Sequence, residues 1–254
     1  MKRREFVSML AATAGAASMG SALPTEAQSF TNRRRIKAIA FDGFVIFDPR
    51  PVAVQVEKEF PGRGAEFTNL WRTRQFEYTW LRTLGNQYKD FWQVTEDALR
   101  YTVSTMNLSL TTSQRDESMQ TYRSLPVWPD VPETLKELRR RGIRMAFLSN
   151  FTAAMLDDNI KAANLAGYFE PHLTTDRVRA FKPSRIAYQM GPDAFGLKPE
   201  EIAFAAFAPW DTVGAKWFGY PTVWVNRANA PLDVLDAQPD VVTSDLAGLV
   251  SFIG

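Results

Sequence analysis

IKAIAFDGFVIFD, residues 36–48, sets the reading of this chain. A short apolar run reaches Asp42, and glycine with further apolar residues leads to Asp48. Bounded apolar runs of this length suit a strand buried on both faces of a parallel sheet. Ligands of open α/β sheets bind outside the carboxyl ends of such strands. Asp42 stands at that place.

Downstream the pattern changes twice. From about 51 to 125 the segments VAVQVEKEF, EFTNLWRTRQFEYTWLRTL, FWQVTEDALRYTVSTMNL and TTSQRDESMQTYRSL all read as helices, with no convincing strand. In the second, Phe67, Leu70, Trp71, Arg74, Tyr78, Leu81 and Leu84 recur at three- and four-residue steps. After 126, helix and strand alternate. VPETLKELRRRG is a helix closed by Gly142, and IRMAFLSN is a strand. MLDDNIKAANLAG is a helix closed by Gly167, and HLTT is a short strand. SRIAYQMGPDAFG is a helix in which Pro192 predicts a kink or early break. EIAFAAF, PTVWVN and DVVTS read as strands, with DTVGAKWFG and DLAGLVSFI as helices. The alternation argues an α/β fold, a parallel sheet covered on both faces.

The composition is globular: of 254 residues, 45% are apolar and 23% charged. The net charge of +2 comes without a long basic block, so no nucleic-acid partner is expected. There is no cysteine, which excludes disulfides, thiolate nucleophiles and cysteine-bound metals. Residues 1–27 read as a twin-arginine signal peptide: Lys2, Arg3, Arg4 and Phe6 precede an Ala/Gly-rich, weakly apolar run. Cleavage falls after Ala22 or Ala27, and the expected location is the periplasm. No other run is apolar for long enough to span a bilayer, so no membrane span is expected after processing.

Four polar features follow candidate strands: Asp42; Ser149 with Asn150; Lys182 in AFKPS; and Asp211 in PWD. Each alone reads as a helix cap or a solvent-facing side chain; for Asp211 the cap would belong to a helix starting at Thr212. Together they describe a site. A carboxylate can attack an electrophilic carbon or phosphorus and leave an ester or acyl phosphate for water to cleave. Lys182 would neutralise and orient Asp42. Asp211 would anchor the lysine or help activate water. A helix start after Ser149 and Asn150 would offer N–H groups to an anion.

These residues stand in motifs. FPGRG at 60–64, LWRTRQFEYTWLR at 70–82, TEDALR at 95–100, LSN at 148–150, FKP at 181–183 and WDTVGAKWFG at 210–219 occur in order. From about 35 to 250 the chain resembles the haloacid dehalogenase (HAD) superfamily, and within it the type II L-2-haloacid dehalogenases. The resemblance implies a Rossmann-like parallel-sheet core over 35–50 and 126–254, with an inserted helical cap over 51–125. It implies hydrolytic dehalogenation of small L-2-haloacids to 2-hydroxy acids, with no cofactor and no metal. By resemblance Asp42 is the nucleophile and Arg72 holds substrate and departing halide. Ser149 and Asn150 receive the substrate carboxylate. Lys182 pairs with the nucleophile, Tyr188 lies near the substrate, and Asp211 lies at the hydrolytic end. The partner is a small 2-haloalkanoate or related carboxylate, and the family's common state is a homodimer.

Magnesium-dependent phosphatases of the superfamily carry a second Asp two places after the nucleophile. Here that residue is Phe44, and the later loop AAFAPWD holds only Asp211. A hard cation wants several oxygen ligands, so phosphoryl transfer is disfavoured.

The chain also departs from the dehalogenase pattern. The family opens its site with aspartate, two residues, then Gly-Thr-Leu-Phe-Asp. Here the loop is one residue shorter, and Val45 and Ile46 stand near the missing Gly-Thr pair. Ala206 and Ala208 stand where the family has a serine and an asparagine, and Arg74 replaces a cap lysine. Three readings therefore fit: a haloacid dehalogenase with an altered site, a hydrolase of another small acid or ester, and a catalytically degenerate protein that binds a carboxylate or halide. Phe76, Trp80, Phe91 and Trp92 are candidates to shape the pocket or to fill the cap core.

Overall fold

The opening stretch forms β1, Ala38–Phe41, buried on both faces. The computed structural model describes residues 36–254. The signal segment 1–27 lies outside the described residues, as does Arg35, the first residue of the expected core.

Side chains of β1 alternate as a strand requires. Ile39 and Phe41 enter one hydrophobic cluster with Phe47, Phe147 and Phe151. Ala38 and Ala40 enter the other, beside Tyr188, Phe204 and Tyr220. Small residues on that face leave room for the tyrosines. The strand is central: β2, Arg144–Ser149, pairs with it on one side and β4, Ile202–Ala206, on the other, both parallel. With β3, Leu173–Thr174, β5, Thr222–Val225, and β6, Val241–Thr243, the sheet order is β3-β2-β1-β4-β5-β6. Every pairing is parallel. The carboxyl ends of β1, β2 and β4 therefore deliver Asp42, Ser149 and the 207–211 loop to one edge.

A one-turn helix absent from the sequence reading follows β1: α1, Gly43–Ile46, with Asp42 as its N-cap. Four helices come next: α2, Arg50–Glu59; α3, Gly64–Leu84; α4, Phe91–Thr105; and α5, Thr112–Thr121. Trp71 Nε1 donates to the Thr95 carbonyl (2.8 Å) and Gln75 Nε2 to Thr95 Oγ1 (2.6 Å), tying α3 to α4 inside the apolar interface. The chain returns at Phe47 and Val127, which form an antiparallel bridge. The remaining helices are α6, Val131–Arg140; α7, Ala153–Ala162; α8, Arg185–Phe195; α9, Pro209–Phe218; and α10, Ala247–Ile253. Among the described residues no helix is long and apolar enough to cross a membrane.

Three expectations are corrected. First, α7 stops at Ala162, before Gly167, because Asn164 already adopts the left-handed conformation (φ 55°); asparagine tolerates it. Second, α9 begins at Pro209, so Asp211 lies inside the first turn and is not the cap. Proline at the first helical position has no N–H to leave unpaired. Third, α8 runs through Pro192 to Phe195 without a break. Pro192 has no N–H for the Tyr188 carbonyl one turn back. The Tyr220 hydroxyl donates to that carbonyl instead, at 2.6 Å.

Candidate active site

Asp42 leaves β1 with extended backbone (φ −64°, ψ 147°) and caps α1. Its Oδ2 accepts from the Phe44 N–H at 3.0 Å, and its Oδ1 accepts from Lys182 Nζ at 2.8 Å. Ile46 is fully buried in the apolar core.

Lys182 has no exposed side-chain surface. Its ammonium also donates to Asp211 Oδ2 at 2.7 Å and lies 5.2 Å from the centre of the Phe204 ring. Asn150 Oδ1 accepts the Lys182 backbone N–H (3.1 Å) and so fixes the loop that carries it. Ser149 Oγ accepts from the Phe151 N–H (3.1 Å). Asp211 is closed on its far side by the Tyr188 hydroxyl, which donates to Oδ1 at 2.6 Å. That phenol approaches α9 so closely that a Cβ on Gly214 would lie 2.5 Å from it. The glycine of WDTVGAKWFG is what lets Tyr188 reach Asp211.

Electrostatics follow from burial. Loss of water pushes the Asp211 carboxyl up to about 6, against the pull of the Lys182 charge. Burial works to lower Lys182, but the Asp211 and Asp42 charges outweigh it and hold the ammonium above its ordinary value. Burial and then the Asp211 charge drive the Tyr188 phenol well above its ordinary range. A lysine between two carboxylates is therefore a cation, and the phenol is a donor.

Asp42, Ser149, Asn150 and Asp211 line a small cavity with Arg72 from α3. Its other walls are Ala208 and six aromatic rings: Phe44, Phe76, Phe91, Phe151, Phe207 and Trp210. Its free volume is about 10 Å³, room for about one water. The Arg72 guanidinium is exposed and lies 5.8 Å from the Phe207 ring centre. Among the described residues it pairs with no carboxylate. Arg74 turns away from the cavity, bonding Tyr101 Oη (2.8 Å) and Glu77 (2.9 Å).

The structure thus brings Asp42, Arg72, Ser149, Asn150 and Asp211 to one cavity, with Lys182 beneath it. Tyr188, expected near the substrate, is fully buried behind Asp211 and does not line the cavity. Of the aromatic candidates, Phe76 and Phe91 face the cavity. Trp80 packs on Trp210 (5.8 Å), and Trp92 lies under Arg123 on another surface. Ala208 lines the cavity, while Ala206 packs in the cluster of Tyr188 and Phe204. Phe44, Phe151, Phe207 and Trp210 are not read as cavity walls in the sequence. Their one local signal is adjacency to Asp42, Asn150, Ala208 and Asp211.

A parallel α/β core that holds a carboxylate, a lysine and a second carboxylate at its strand ends, under inserted helices, defines a class of hydrolases. The chain belongs to the haloacid dehalogenase-like hydrolase family, whose model matches residues 21–219. It is 39% identical over 216 residues to an (S)-2-haloacid dehalogenase of Pseudomonas sp. (strain YL), covering 85% of this chain and 93% of the relative. A solved L-2-haloacid dehalogenase is 38% identical, with a TM-score of 0.84, over 86% of this chain and 98% of its own. The L-2-haloacid dehalogenase of Xanthobacter autotrophicus, solved with chloropropionic acid covalently bound, is 32% identical. Its TM-score is 0.79, over 86% of this chain and 98% of its own.

Proposed function

We propose that this protein hydrolyses small L-2-haloacids to 2-hydroxy acids, without a metal, through an ester on Asp42. One observation carries the reading: the Asp42–Lys182–Asp211–Tyr188 chain of hydrogen bonds lies directly beneath a cavity that Arg72 borders. Covalent chloropropionate in the Xanthobacter relative supports the same chemistry.

The proposed steps combine this geometry with the roles that the family resemblance implies. An Asp42 oxygen attacks C2, the carbon–halogen bond breaks, and C2 inverts. Arg72 stabilises the charge gathering on the halide. Ser149 and Asn150 receive the substrate carboxylate. Water then adds to the Asp42 acyl carbon and the acyl C–O bond breaks; one water proton goes to the oxygen of the departing 2-hydroxy acid, and the other is released as Asp42 returns to a carboxylate. Lys182, held by Asp211, keeps Asp42 ionised and aimed. The cavity has room for about one water as it stands, so loading a haloacid is proposed to involve a shift of the helices over the core.

The test is halide release by the purified protein from both enantiomers of 2-chloropropionate, chloroacetate and fluoroacetate, with and without EDTA. Release confined to the L enantiomer, with or without the acetates, and insensitive to EDTA is expected. A second reading, a carboxylate- or halide-binding protein without turnover, is favoured by the alanines at 206 and 208. Tight binding of chloropropionate with no release from any substrate would select it.

Export to the periplasm rests on the KRREFV start and is tested by cell fractionation. A homodimer rests on resemblance and on the exposed Leu81 and Leu84 of α3; sedimentation tests it.

A further inference from the structure

The helix that aims Asp42 is one turn long. Such a helix satisfies almost none of its own carbonyls, and here it is buried, where an unpaired carbonyl is costly. Phe47 N–H returns to the Gly43 carbonyl at 2.9 Å. The next three carbonyls are all taken by two residues far along the chain. Trp128 Nε1 donates to the Phe44 carbonyl at 3.0 Å, and Trp128 N–H to the Ile46 carbonyl at 3.2 Å. Arg227 Nη2 donates to the Val45 carbonyl at 3.2 Å.

These donors are themselves fixed. Both terminal nitrogens of Arg227 pair with Asp130, at 2.8 and 2.9 Å, and Asp130 also accepts the Leu246 N–H at 2.6 Å. The Trp128 indole is flanked by two guanidiniums, Arg227 at 4.5 Å and Arg50 at 4.8 Å from its centre. Cation–π contacts of this kind hold a ring in place. Neither Trp128 nor Arg227 lines the cavity. They reach Asp42 only through α1, whose Phe44 N–H holds Oδ2 while Lys182 holds Oδ1.

We infer that Trp128 and Arg227 are positioning residues for the nucleophile, holding the one-turn α1 so that Asp42 keeps its aim. The catalytic part of this inference rests on the proposed dehalogenation; the structural part does not. Trp128→Phe keeps an aromatic ring and the backbone N–H but loses the indole donor and part of the ring area. Arg227→Lys keeps the charge but loses the fork that holds Asp130 and Val45 together.

Two measurements decide it on the full protein. Hydrogen exchange of the 43–48 amides should speed up about tenfold in each variant, with the 202–206 amides of β4 unchanged. On L-2-chloropropionate, kcat should fall about tenfold with KM within about twofold, the signature of a misplaced group. Unchanged exchange at 43–48, or equal acceleration at 202–206, would overturn the inference. So would faster exchange with full kcat. If the wild-type protein releases no halide, the dehalogenase reading fails, and the exchange result alone still decides whether these residues hold α1.

Discussion

The Tyr220 hydroxyl donates to the Tyr188 carbonyl at 2.6 Å, the carbonyl that Pro192 leaves without its helical partner. A side chain from the segment before β5 thereby completes α8, the helix that carries Tyr188 to Asp211. The fit is close: a Cβ on Gly191 would lie 2.1 Å from the Tyr220 oxygen. Tyr220→Phe should lower stability by about 1–3 kcal/mol, the cost of a buried unpaired carbonyl. Pro192→Ala restores an N–H. It should therefore stabilise the Tyr220→Phe protein more than the wild type, a coupling that a urea-denaturation double-mutant cycle measures.

Asp42 is the carboxylate assigned to attack. Asp42→Asn should reduce halide release on the order of 10³-fold or more, the scale of losing a nucleophile. Mass spectrometry should find no substrate adduct on the variant. Full turnover by Asp42→Asn would remove Asp42 from that role.

Arg72 is exposed and makes no ion pair among the described residues, so its removal should leave folding intact. Arg72→Ala should lower kcat/KM on the order of 10²-fold on every 2-haloacid, the scale of losing one donor to a developing anion. Thermal unfolding should be unchanged, since surface substitutions of this kind shift stability little. Kinetics equal to wild type would refute the assignment.

The Asp211 carboxyl predicts the pH response. Burial, with the Asp42 charge adding to it, raises its pKa from 3.8 to about 6, while Lys182 and the Tyr188 hydroxyl pull it down. Only the ionised form anchors Lys182 as a carboxylate, so kcat should fall as pH drops below about 6. Tyr188→Phe removes a donor to that form, so the acid limb should move to higher pH. The stability contribution has the opposite sense. A carboxyl with a raised folded pKa favours folding below its ordinary pKa of 3.8, and that contribution is lost as pH rises through about 6. A pH–rate profile with no limb in that range would refute the assignment.

Ala208 caps α9 with extended backbone (φ −86°, ψ 146°) and no side-chain bond. Ala208→Asn should add an N-cap worth about 1 kcal/mol, read by urea denaturation. The same amide would present a donor to the cavity that Ala208 lines. An increase in kcat on L-2-chloropropionate is expected; an unchanged rate would show that a missing donor there does not limit turnover.

Much of the fold was legible in local pattern. The doubly buried run at β1, the alternation after 126 and the helical spacing of α2 to α5 each depend on which residues meet solvent, and hydrophobicity records that directly. The strand-end polar residues were legible too, because a parallel sheet sends its carboxyl ends to one edge. One error arose where a local rule was overruled from a distance. Pro192 predicts a break, but Tyr220 supplies the missing donor from across the fold. The place of Tyr188 behind Asp211 was not legible either, since it depends on Gly214 admitting the phenol.

The sequence by itself determined the architecture, the family motifs and the identities of Asp42, Lys182 and Asp211. Only the tertiary structure decided how those charges are shared, which rings close the cavity, and what holds α1. The reason is physical. Burial pattern is written in neighbouring residues, whereas a hydrogen bond such as Arg227 to the Val45 carbonyl joins residues 182 positions apart. No local spacing encodes such a bond.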